Sequence, residues 1–117
     1  GGIHQLVRRI PYTQAMGMLL TGRKADAAEM QAMGLVNEVV PADELDAAVQ
    51  RWLDQILACA PTSVRAVKQM VTRTGHLTAA EARGLRLPAL MAALDSEDSA
   101  EGVRAFQEKR PPVWPGR

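Results

Sequence analysis

Phe106 and Lys109 stand three residues apart near the end of the chain, in the stretch AFQEKRPPVWPGR from Ala105 to Arg117. Residues at that spacing share one face of a helix. An aromatic ring beside an ammonium suits a purine next to a phosphate, because the base stacks on the ring and the anion pairs with the cation. The competing arrangement buries Phe106 in a core and leaves Lys109 solvated. After them comes a proline-rich strap, Arg110 to Arg117. Chain ends fray unless something ties them down. A strap this stiff and apolar is expected to be docked, with Trp114 as its packing anchor.

Other residues with chemical potential are sparser. Gly1 and Gly2 precede an amphipathic turn, where glycines permit close backbone approach and leave N–H groups free at a helix start for an anion or carbonyl. A cloning remnant would have the same appearance. His4 and His76 lie far apart, and neither has a partner at metal-ligand spacing, so ordinary surface or packing roles are expected and no metal site. Cys59 sits between alanines before a proline, without a charged neighbour to activate it, and reads as a small buried thiol. Met16, Met18, Met30 and Met33 fall at helical spacing and read as core filler.

The whole-chain numbers bound the answer. At 117 residues the chain has the size of one domain and can bury a core. A net charge of +1 with 23% charged residues argues against a nucleic-acid binder that relies on a broad basic face. No apolar run approaches the roughly 20 residues that span a bilayer, so no membrane association is expected. One cysteine precludes an internal disulfide and fits a reducing cytoplasm. The start has neither a methionine nor a basic segment followed by an apolar stretch, as expected of a chain cut from something longer or of a start that is not the gene's own.

The elements that must position these residues are mostly helical. In YTQAMGMLL, Tyr12, Ala15, Met16, Leu19 and Leu20 fall near one face, and Thr21-Gly22 supplies the stop. Asp26 with Glu29 makes a capping box for the next helix, which Gly34 closes. LVNEVV, ended by Pro41, is the one strand candidate. Leu45, Val49, Trp52, Leu53 and Ile56 stripe a further helix up to the break at Pro61. Val64, Val67, Met70 and Val71 stripe the next, to Gly75. Thr78 to Glu81 is another capping box, and Pro88 should kink or divide the helix that follows. Ser96 can cap a last helix whose first turn carries Glu97 and Asp98, favourable at the positive end of the dipole. The expectation is a mainly α domain of five or six helices with one short strand.

Four stretches in order, GGIHQLVRRI, AMGMLLTGRKADAAEMQAMGLVNEVVP, APTSVRAVKQ and DSEDSAEGVRAFQEKRPPVWPGR, resemble the C-terminal portion of the enoyl-CoA hydratase/isomerase (crotonase) superfamily. The ending is similar to the carnitinyl-CoA dehydratase branch. Val7 departs from a frequent proline and Pro11 from a frequent glycine, at a junction between helices.

The resemblance implies a spiral of ββα units followed by a helical region that packs into trimers. On that plan residues 1–41 end the spiral core and residues 42–117 form the helical oligomerisation region. It further implies a cytoplasmic enzyme acting on an acyl-CoA thioester, with CoA as part of the substrate and no separate cofactor. Its chemistry hydrates, dehydrates or isomerises through an enolate-like intermediate, with two backbone N–H groups on the thioester oxygen.

Both donors, and the glutamates that act as acid and base, match positions ahead of Gly1. No catalytic residue is therefore assigned here, and Glu29, Glu38 and Glu44 match structural positions. Gly1 and Gly2 match glycines near the acyl group. Phe106 and Lys109 match tail positions that approach the adenosine and phosphate end of CoA. The alternatives are a non-catalytic helical oligomerisation module and a stand-alone nucleotide-binding domain, the latter lacking any phosphate-cradling loop.

Overall fold

A computed structural model describes all 117 residues. The chain divides into two compact units, Gly1–Val49 and Gln50–Arg117. The first holds α1 (Gly2–Leu6), α2 (Tyr12–Thr21), α3 (Ala27–Ala32), a single 3-10 turn at Ala42–Glu44 and the start of α4 (Leu45–Leu57). The second holds the rest of α4, then α5 (Pro61–Thr74), α6 (Ala79–Arg83), α7 (Pro88–Leu94) and α8 (Glu97–Glu108).

Local chemistry sets these boundaries. Gly22 ends α2 at φ 67°, a left-handed conformation that glycine adopts without steric cost, and its N–H closes on the Met18 carbonyl. Asp26 accepts the Glu29 N–H while Glu29 accepts the Asp26 N–H, so both donors at the start of α3 are satisfied. Thr78 and Glu81 repeat that box at α6. Pro61 and Pro88 occupy the first positions of α5 and α7, where a missing N–H costs nothing. Pro88 thus separates α6 from α7. That division, together with the short α1, brings the number of helices to eight.

The expected strand does not form. Residues 35–40 are bent and then irregular, with no ladder. A strand exists only when a neighbour supplies its inter-strand hydrogen bonds, and no other segment of this chain does so.

The second unit is organised around α5 packed on α7, with α7 leading into α8. Gln69 on α5 accepts the Ala89 N–H at 3.1 Å, capping an otherwise open donor in the first turn of α7. What is buried is small: Ala60, Ala66, Ala93 and Ala105 here, Ile10, Ala15 and Ala48 in the first unit. The large apolar side chains expected to fill the interior instead lie outside it. Trp52, Leu53 and Ile56 are 39%, 43% and 48% exposed, and Val67 and Val71 are 60% and 66% exposed. The four methionines read as core filler are only half-buried.

Candidate functional site

The strap is docked, and two carboxylates of α8 hold it. Asp98 is 1% exposed and Glu101 is 6% exposed. They lie three residues apart and so share a face. Asp98 Oδ1 accepts the Gly116 N–H at 2.7 Å, while its Oδ2 accepts the Thr62 hydroxyl at 2.8 Å and the Thr62 N–H at 3.1 Å. Glu101 Oε1 accepts Arg110 Nη1 at 2.6 Å and the Val113 N–H at 2.9 Å. Its Oε2 accepts Arg110 Nη2 at 3.0 Å and Arg104 Nε at 3.2 Å.

Trp114 donates its indole N–H to the Ala58 carbonyl at 2.8 Å, and its ring lies 3.5 Å from where a Cβ on Gly102 would stand. At the end of the strap, the Arg117 carbonyl accepts the Glu97 N–H at 2.7 Å. The first turn of α8 thus receives acceptors from both the Ser96 hydroxyl and Arg117.

The electrostatics follow from these bonds. Hydrogen bonds from Arg110, then the Val113 N–H, and the charges of Arg110 and Arg104 pull the Glu101 carboxyl down to about 2, against the opposing effect of burial. Burial alone would raise Asp98. Hydrogen bonds from the Thr62 hydroxyl, Gly116 and Thr62 N–H groups, with the Arg65 charge, outweigh it and leave Asp98 lowered.

Phe106 and Lys109 lie between these anchors. Phe106 is 86% exposed, so it is no core residue. Lys109 is not on the last turn of the helix. It is the residue that ends α8, at φ 54° and ψ 40°, the one non-glycine residue of the chain with positive φ. Its N–H reaches the Phe106 carbonyl and the Arg110 N–H reaches the Ala105 carbonyl at 3.1 Å, the pairing of a Schellman turn. Lys109 therefore leaves the helix register just after Phe106, and its exposed side chain is displayed from a turn.

Gly1 and Gly2 open α1. The Gly1 carbonyl accepts the Gln5 N–H at 3.1 Å, and a Cβ at either glycine would meet nothing within 4 Å. Nothing within this chain demands glycine at either position. His4 and His76 are both exposed, and no cluster of His, Cys, Asp or Glu could hold a metal ion. Cys59 is exposed rather than buried; it follows the end of α4, and its thiol reaches back to the Gln55 carbonyl at 3.4 Å. No helix is long and apolar enough to cross a membrane.

Sequence reasoning missed the anchoring role of Asp98 and Glu101. The signal available was an acidic pair at i, i+3 upstream of an Arg-rich, proline-rich end.

A profile of the enoyl-CoA hydratase/isomerase family matches residues 1–117. The carnitinyl-CoA dehydratase of Proteus mirabilis (strain HI4320) is 38% identical over 121 residues, covering 100% of this chain and 46% of that protein. A crystal structure from Novosphingobium aromaticivorans DSM 12444, provisionally assigned as a short chain enoyl-CoA hydratase, superposes with a TM-score of 0.94 at 37% identity. It too is matched over 100% of this chain and 46% of its own. The enoyl-CoA hydratase of Mycobacterium tuberculosis H37Rv gives a TM-score of 0.88 at 35% identity, again with 46% of that chain covered. The chain thus spans a little under half the length of these relatives, and its helices follow the helical C-terminal part of their fold. Motif, fold and whole-length match agree that this chain belongs to the enoyl-CoA hydratase/isomerase family.

Proposed function

We propose that the chain is the C-terminal part of an acyl-CoA enzyme that hydrates, dehydrates or isomerises a thioester through an enolate-like intermediate. Residues 42–117 serve as its oligomerisation region, in a cytoplasmic trimer or hexamer. The groups that polarise the thioester and move its protons belong to the part of the fold this chain does not span. Gly1 and Gly2 lie near the acyl group, and Phe106 and Lys109 take the adenine and phosphate end of CoA.

The observation that carries this reading is the family match over all 117 residues, set against 46% coverage of the relative. The exposure of both the Phe106 ring and the Lys109 side chain, three residues apart in sequence, supports the CoA contact, since neither is taken up by packing within the chain.

The 117-residue chain is expected to turn over no crotonyl-CoA, and measurable hydration by it would overturn this assignment. Saturation-transfer NMR with CoA is expected to show signal on the adenine protons. Lys109→Gly relieves the left-handed conformation and should gain about 1 kcal/mol of stability, while weakening that signal several-fold.

A second reading, a helical oligomerisation module without chemistry, is favoured by the exposed apolar stripes of α4 and α5. Sedimentation unaffected by CoA, with no adenine signal, would select it.

A further inference from the structure

We infer that Glu101 is the positioning residue of the Phe106–Lys109 pair: its buried carboxylate ties α8 to the chain on the far side of Lys109 and so sets the left-handed turn from which Lys109 is displayed. This rests on the reading of that pair as a coenzyme contact, but the turn itself can be tested without coenzyme.

The geometry is specific. Glu101 lies on α8 ahead of both residues, and two of its partners, Arg110 and Val113, lie just behind them. One carboxylate therefore closes the segment that contains Phe106 and Lys109. Both oxygens are fully used, with two donors on each. Arg110 meets it through two parallel N–H bonds, an arrangement that fixes orientation as well as distance.

A non-glycine residue in the left-handed region persists only where its surroundings over-determine it. Arg110, the next residue, supplies that constraint: its guanidinium is held by Glu101 and Glu108 while its N–H is held by the Ala105 carbonyl. The remaining anchors of the strap, Trp114 on Ala58 and Gly116 on Asp98, act five or more residues beyond Lys109. They dock the end of the strap, whereas Glu101 fixes the turn.

Glu101→Gln tests this. A neutral amide has one acceptor oxygen, and its NH2 group would face the Arg110 guanidinium with donor against donor. Amide hydrogen exchange, read residue by residue, is expected to speed up on the order of tenfold at Arg110 and Val113. Exchange within α5 and α7 should stay unchanged. The adenine saturation-transfer signal with CoA should fall in parallel.

Where Glu101→Gln proves too unstable to purify, Arg110→Lys keeps the charge, loses the fork, and is expected to loosen the same two amides. Unchanged protection at Arg110 and Val113 in either soluble variant would overturn the inference. So would loosened amides with an undiminished adenine signal. A wild-type chain with no adenine signal would instead remove the coenzyme reading, and the exchange data would still decide whether Glu101 sets the turn.

Discussion

Glu101 and Asp98 differ in what they can tolerate as the medium acidifies. Each has its carboxyl held below the ordinary value by donors that include strap groups, Arg110 and the Val113 N–H for Glu101 and the Gly116 N–H for Asp98, beside Arg104 and Thr62 from the helices. A depressed carboxyl stabilises the fold above its ordinary value, here 4.5 for Glu101, and that contribution is lost as pH falls through about 2. The docked strap is therefore expected to persist at neutral pH and to release on acidification below that ordinary value. The Trp114 indole N–H, bonded to Ala58, reports it: its NMR resonance should hold steady above the window and lose its bonded shift within it. A resonance unmoved down to pH 2 would show that these carboxylates do not hold the strap. From the sequence, Asp98 was legible only as an acidic residue favourable beside a helix dipole. Its partners, Thr62 and Gly116, lie 36 and 18 residues away, and local pattern carries no information at that range.

Helix boundaries were the most legible level, because capping is decided within four or five residues. Both capping boxes, the αL glycine after α2 and the proline that separates α6 from α7 stand where the pattern places them. The strand at Leu35–Val40 was not legible, since β-propensity reports fitness for a ladder and a ladder needs a neighbour. Helix α8 offers a test of how strap and helix fit. A Cβ at Gly102 would stand 3.5 Å from the Trp114 ring, an ordinary contact. Gly102→Ala should therefore stabilise the chain by about 0.5–1 kcal/mol through helix propensity. Gly102→Leu should instead push the ring off α8 and lower the thermal midpoint. If alanine and leucine behaved alike by calorimetry, Trp114 would not be seated on this helix.

For the molecule as a whole, the telling quantity is surface. The chain exposes 9087 Å², whereas a compact monomer of its mass exposes about 6,200 Å², and two separate bodies of half that mass about 7,500 Å². Part of the excess is large and apolar in both units, and in the second unit it includes a groove between α4 and α5 lined by Trp52, Ile56, Val64, Val67 and Val71. Such a face is covered in a working assembly or drives association in its absence. Analytical ultracentrifugation of the 117-residue chain should show concentration-dependent association. Val67→Glu with Val71→Glu should abolish it and leave the helical circular dichroism intact; a wild type that stays monomeric at every concentration would refute this.

The sequence by itself determined the mainly helical class, both capping boxes, the family and the order of the family's motifs, because periodicity, capping chemistry and motif spacing are written in neighbouring residues. Only the tertiary structure decided which apolar stripes stay uncovered, that Cys59 is exposed, and that Asp98 and Glu101 anchor the strap. Burial and long-range hydrogen bonds depend on which segments meet, and a side chain's own type cannot state whether its partner will be there.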